Sequence, residues 1–159
     1  TITGSDTNKD LSISPFSFTT GNLTLQYIGP DGTGDFTPPV NVTFNRCGSV
    51  KTISIYFGGD VSFTQSFPCL QWKIYDITNI PSWADPVSNV QFLGRMSIYF
   101  NSEQALCEVY LQKSDPVNPV YEINIIPDTQ YNGLPADKAY TVTHPYLGTW
   151  ASYWNFTYY

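Results

Sequence analysis

His144 is the only histidine of the chain, with Pro145 after it and Tyr146 close by. Nucleophilic catalysis by a Ser–His or Cys–His pair would have to run through it, and a catalytic imidazole needs a carboxylate to orient it. No Gly-x-Ser-x-Gly elbow or other activated serine context occurs, so His144 reads as a turn residue with its ring partly solvated. Glu108 and Glu122 are the candidates for a glycosidase-type carboxylate pair. Both fall on alternating strand-like runs, where an outward, solvated acid is the ordinary expectation. Asp31, Thr33 and Asp35 make a thin oxygen-ligand loop for calcium, and turn chemistry selects Asp and Gly in such a loop for backbone reasons alone. A phosphate-cradling Gly-Lys-Ser/Thr and a dinucleotide fingerprint are both missing. The residues therefore predict a protein that is not an enzyme, with no catalytic group, no cofactor and no metal.

The three cysteines, Cys47, Cys69 and Cys107, cannot all pair within one chain and are spaced too widely for a zinc motif. They are expected to be buried thiols without an intrachain disulfide, acting as small apolar residues. Asn22-Leu-Thr24, Asn41-Val-Thr43 and Asn155-Phe-Thr157 have the form of glycosylation sequons. Each lies within or against a strand-like run, and such short patterns arise by chance.

The remaining chemistry is recognition. Charged residues are 13% of the chain and aromatics 16%, a balance in which flat rings stack and Asn, Thr and Ser supply hydrogen bonds. Trp72, Trp150 and Trp154 follow strand patterns and read as core or subunit interface. Trp83, Tyr131 and Asn132 fall in Pro- and Gly-rich stretches, where binding residues concentrate. Lys138 joins Tyr131 and Asn132 in one irregular segment, giving an aromatic, an amide and a cation suited to an acidic sugar. Tyr131, Asn132, Lys138 and Trp83 are the expected binding contacts, and Lys138 reads equally well as a solvated loop residue.

The elements that must position these groups are strands. Twelve Pro and 11 Gly recur at short intervals, and no window repeats apolar residues at helical spacing. Residues 1–22 read as a polar lead-in or linker, and 23–159 as the folded domain. Residues 29–39 hold clustered turn residues and are expected to form a loop. Val40–Phe44 alternates, Gly48 breaks it, and Ile53, Ile55 and Phe57 mark the next buried face. Gly58-Gly59-Asp60 predicts a hairpin returning through Val61–Phe63. Further strands are expected at 70–74, 90–100, 106–112, 120–126, 140–142 and 150–158, with connections at 79–89 and 127–139. That makes an all-β fold, an antiparallel β-sandwich or jelly roll of about 8–10 short strands.

Seven dispersed basic residues and a net charge of −6 exclude phosphate recognition, so no nucleic acid is expected. No apolar run approaches a membrane span of about 18 residues, so no membrane insertion is expected.

Three stretches resemble adenovirus fibre heads. Phe44-Asn-Arg-Cys47-Gly48-Ser49-Val50 is similar to the Lys-Cys-Gly-Ser that ends one head strand and opens the next turn. Cys107-Glu-Val109-Tyr110-Leu111, then Lys113-Ser-Asp-Pro-Val-Asn-Pro119 and Tyr121-Glu-Ile-Asn-Ile125, resembles that family's Val-Tyr-Leu, proline-containing loop and following strand. Tyr153-Trp-Asn-Phe156-Thr157-Tyr158 resembles its closing Phe-Ser-Tyr. Asp76-Ile-Thr-Asn-Ile-Pro-Ser82 and the pattern from Met96 through Ile125 also resemble orthoreovirus attachment-fibre heads. The Thr-Leu-Trp-Thr that commonly opens adenovirus heads is missing here.

The resemblance implies a homotrimer of antiparallel sandwiches at the tip of a virion fibre, assembled inside the host cell. Its expected partner is a host cell-surface protein or sialylated glycan. A small domain with this many aromatics should also leave apolar surface that association would cover. The alternative class is a secreted or bacterial carbohydrate-binding or adhesin β-sandwich.

Overall fold

The computed structural model describes residues 16–29, 32–57, 62–66, 71–100, 103–115, 117–127, 139–143 and 152–159, some of them through the backbone alone. They form eleven strands: β1 Phe16–Thr19, β2 Leu23–Gly29, β3 Gly32–Cys47, β4 Val50–Phe57, β5 Ser62–Ser66, β6 Gln71–Ile77, β7 Val90–Phe100, β8 Glu103–Asp115, β9 Val120–Pro127, β10 Ala139–Thr143 and β11 Ser152–Tyr158. The only helical turn among the described residues is a 3-10 turn at Ser82–Ala84. Every pairing is antiparallel, in the order β11-β4-β3-β2-β6-β9-β8-β7-β10-β5, with β1 added on β3. The sheet nearly closes on itself, because β11 at one end of the order lies against β7 near the other. The all-β expectation holds, with more strands than expected and some of them long: β3 has 16 residues and β8 has 13.

Two expected connections are corrected. Residues 29–39 do not form a loop: Gly29 pairs with Gly32, so only Pro30 and Asp31 join β2 to β3. The turn residues clustered at 29–34 lie largely within the paired strands, and Pro38 and Pro39 fall where the register shifts between Leu25↔Phe36 and Leu23↔Val40. A strand tolerates proline at such an irregularity because no ladder N–H is needed there. The expected β4–β5 hairpin is also absent. β4 pairs with β3 and β11, while β5 pairs with β10 at the far end of the sheet. Gly58-Gly59-Asp60 lies outside the described residues.

The length of β3 has a use. Its first half pairs with β2 and its second half with β1, so two consecutive strands lie along one edge. They are joined through Thr20, whose N–H donates to the Val42 carbonyl and whose hydroxyl accepts from the Val42 N–H, both at 3.0 Å. On its other edge β3 turns into β4 through Gly48 and Ser49. Gly48 has φ +60, a conformation cheap only for glycine, at the first central position of a tight hairpin turn.

Alternation buries one face of the strands that build the core. Val40, Val42 and Phe44 of β3, Ile53 and Ile55 of β4, and Tyr158 of β11 meet Trp72, Ile74 and Ile77 of β6, Val109 and Leu111 of β8, and Ile123 and Ile125 of β9. Trp154 and Phe156 pack against the same cluster, so the described tryptophans of β6 and β11 serve the core. Cys107 is fully buried there. Cys47 departs from the expected burial: as the last residue of β3 it points out beside the turn and is exposed. Neither is in a disulfide, and Cys69 lies outside the described residues.

Candidate functional site

Two polar constellations stand out, one plugging an end of the nearly closed sheet and one spread over an outer face. The plug is the segment between β6 and β7. Ala84 is buried beneath it, and its carbonyl accepts the Tyr158 hydroxyl at 2.6 Å. Lys51 donates to the Asp85 carbonyl at 2.8 Å with its ammonium over the Tyr158 ring, 5.4 Å from the centroid. The Asp85 carboxylate takes the Tyr121 hydroxyl and an ion pair from Lys113 at 3.1 Å. Backbone bonds from Val87 to the Tyr159 carbonyl and from Lys113 to the Asn89 carbonyl complete the closure. Trp83, an expected receptor contact, is half-buried in this plug, stacked on Phe16 of β1 with ring centroids 5.6 Å apart.

The electrostatics of the plug are those of a structural joint. Burial alone would raise the Asp85 carboxyl, but the Tyr121 hydroxyl and the Lys113 and Lys51 ammonium groups outweigh it and hold it below its ordinary 3.8. Burial first, and the Asp85 charge second, push both Tyr121 and Tyr158 well above the ordinary phenol value, so each remains a proton donor. A depressed carboxylate contributes stability above its unfolded pKa and loses it as pH falls through the lower folded value. Stability is therefore expected to fall below about pH 4, and Asp85→Asn should flatten that acid limb. With the Asp85 side chain 42% exposed, water replaces part of what is lost, and the cost at neutral pH should be about 1–2 kcal/mol. Urea titrations of both proteins between pH 2.5 and 7 check this; parallel curves would remove Asp85 from the acid response.

The second constellation lies on the outer face of β6, β9, β8 and β7. Register aligns Phe92, Tyr110, Asn124 and Lys73 in one row across the four strands, and Val90, Gln112 and Glu122 in the next. Gln71 donates to Asn124 at 3.3 Å, and Asn124 donates to Gln112 at 3.0 Å and to Glu122 at 3.3 Å. Asn124 is 5% exposed, the only buried polar residue among those described. A buried amide needs partners on both ends, and this row supplies them. Lys73 pairs with Glu122 at 3.3 Å, and Arg95 with Glu108 at 3.2 Å. Tyr110 donates to Glu108 at 2.6 Å, which raises its phenol pKa, and its ring leans on Phe92 at 5.3 Å. Together Gln71, Lys73, Tyr110, Gln112, Asn124 and Ile126 border an open hollow of about 260 Å³, with Val90 and Glu122 beside them.

Glu108 and Glu122 thus share this face, each tied to its own cation. Tyr131, Asn132 and Lys138 lie outside the described residues, as do His144, Asp31 and Trp150. Among the described residues no three His, Cys, Asp or Glu side chains gather into a metal-ligand group, and no helix is long and apolar enough to cross a membrane. The amide row escaped sequence reasoning. Its members are visible as the polar half of Gln71-Trp-Lys73, Tyr110-Leu-Gln112 and Glu122-Ile-Asn124. That β6 lies beside β9 is a long-range fact no local pattern carries. Compared with known family models, curated proteins and solved structures, the chain matches none of them.

Proposed function

We propose that this chain is a receptor-binding head of the viral attachment-fibre kind, working as a homotrimer that presents one outer face to a partner and packs the other between copies. The observation that carries this reading is the contrast between the two faces. On β1, β3, β4 and β11 the outward residues align as Thr19, Thr43, Ser54 and Asn155 in one row and Ser17, Asn45, Thr52 and Thr157 in the next. Hydroxyls and amides bond along it, Thr19 to Thr43 at 2.9 Å and Ser54 to Asn155 at 2.5 Å. No charged side chain occurs in either row, whereas the opposite face carries two ion pairs. Copies of a chain with net charge −6 repel one another, and a charge-free face is where they approach at least cost. The stretches that resemble fibre heads also fall on defined elements: Cys47 to Val50 spans the β3–β4 turn, Cys107 to Ile125 the β8–β9 hairpin, and Tyr153 to Tyr158 the strand β11.

The test is mass in solution. Light scattering at micromolar concentration should give three copies. Ser54→Glu, which brings three carboxylates to the joint, should give one copy, and Thr78→Glu, with the same charge change on an exposed connection, should leave the trimer intact. A monomeric unmodified protein would overturn the fibre-head reading and favour a single-copy carbohydrate-binding module. A trimer indifferent to Ser54→Glu would overturn the assignment of this face.

A further inference from the structure

We infer that the hollow on the outer face of β6, β9 and β8 is a binding site for an uncharged sugar ring, stacked beside Tyr110 and hydrogen-bonded to the amide row. The inference rests on the reading of the chain as a binding head and adds the chemical class of its ligand.

Three features of the hollow select that class. The first is the polarity of the amide row. Gln71 Nε2 donates to Asn124 Oδ1, and Asn124 Nδ2 donates to Gln112 Oε1. The row is thereby fixed in direction, and among the described residues it leaves the Gln71 carbonyl oxygen at one end and the Gln112 amide N–H at the other for a further partner. A sugar hydroxyl is donor and acceptor at once, so adjacent hydroxyls can satisfy an acceptor and a donor held apart on a rigid sheet. Because Asn124 is buried and bonded on both sides, the two outer amides are held before any ligand arrives, which lowers the ordering cost of binding.

The second feature is the apolar border. Of the lining residues Val90 is 54% exposed and Ile126 37%, and Phe92, against Tyr110, is 48% exposed, so apolar surface faces water beside the amides. The Tyr110 ring is half-buried, with its hydroxyl engaged by Glu108, which leaves the ring rather than the hydroxyl for contact. A pyranose has one face of C–H groups that stacks on such a ring while its hydroxyl edge meets polar side chains.

The third feature is charge. Lys73 is matched by Glu122 and Arg95 by Glu108, so the hollow offers no net positive charge, on a chain whose total is −6. A carboxylate-bearing sugar gains nothing here and meets long-range repulsion, which salt screens only beyond about 8–10 Å. The neutral sugar is favoured over the sialylated one at this face.

Titration by nuclear magnetic resonance with N-acetyllactosamine and with sialyllactose tests this on the full chain. N-acetyllactosamine should shift the resonances of Gln71, Tyr110, Gln112 and Asn124, and sialyllactose should do so no better. Gln112→Ala should weaken binding about tenfold or more, the loss of one well-placed hydrogen bond, and Tyr110→Ala should do the same. Near-ultraviolet circular dichroism confirms that each variant folds, and if Tyr110→Ala does not, Gln112→Ala with Gln71→Ala stands in its place. Shifts elsewhere, tighter binding of sialyllactose at these residues, or unchanged affinity in folded Gln112→Ala would overturn the inference. So would dissociation of the oligomer by Phe92→Asp, which would place this face between copies. A trimer that ignores N-acetyllactosamine removes the sugar site and keeps the fibre head; a monomer that binds it does the reverse.

Discussion

Gly94→Val is expected to destabilise the protein by about 2–5 kcal/mol, which combines overpacking with backbone strain. Gly94 lies in β7 just after Leu93, the extra residue that shifts the register between Phe92↔Tyr110 and Gly94↔Val109. Its φ of +152 is one that side-chain-bearing residues rarely adopt. A Cβ built there would lie 2.9 and 3.0 Å from two ring carbons of Phe156 on β11. That contact brings β11, at one end of the strand order, against β7, near the other, so displacing the ring loosens the closure. Thermal unfolding of Gly94→Val should fall by roughly 5–15 °C for a domain of this size, and Gly94→Ala by less. Phe156→Ala vacates the space, so combined with Gly94→Ala it should cost less than the two single changes summed. Strict additivity, or a Gly94→Val protein as stable as the parent, would show that Phe156 does not close against β7.

Trp72→Ala should cost about 3–5 kcal/mol, the usual range for emptying a large aromatic from a packed core. Trp72 is 1% exposed on β6 and pairs in register with Tyr27 of β2 and Ile125 of β9. It thus sits at the junction where the half-sheet β11-β4-β3-β2 continues into β6-β9-β8-β7. Its side chain shares the core with residues of both halves, so the cavity would weaken the seam between them. Trp72→Phe keeps most of the apolar volume and should cost clearly less. Trp154→Ala, at a half-buried position of β11, should also cost less. Denaturant titrations of the three variants give the ranking, and a Trp154→Ala loss equal to that of Trp72→Ala would contradict this placement of the core.

The local code of this chain was plain. Alternation at residues 40–44, 70–74 and 150–158 named strands and their inward faces, because a period of two needs no partner to be read. Gly48 marked its turn for a reason internal to glycine. The same code misled where local chemistry permits two outcomes. Gly- and Pro-rich residues 29–39 read as a loop, yet most of them belong to β2 and β3, since an irregularity in the ladder shelters Pro38 and Pro39. Gly58-Gly59-Asp60 suited a hairpin, yet β4 found β11 instead, a partner about a hundred positions away in sequence.

What the sequence determined by itself was the class of the fold, the inward residues of its strands, and the want of an orthodox catalytic motif. Only the tertiary structure decided which strands are neighbours, and with that everything about surfaces. Asn124, Gln71 and Gln112 are ordinary outward amides until β6 lies beside β9 and β9 beside β8. Thr19, Thr43, Ser54 and Asn155 are scattered polar residues until four strands align them into a charge-free row. Ala84 and Asp85 became the centre of a plug only because Lys51, Lys113, Tyr121 and Tyr158 converge on them from four strands. The physical reason is the same in each case: side-chain direction is set by neighbouring residues in the chain, whereas strand order is set by the burial of one shared core.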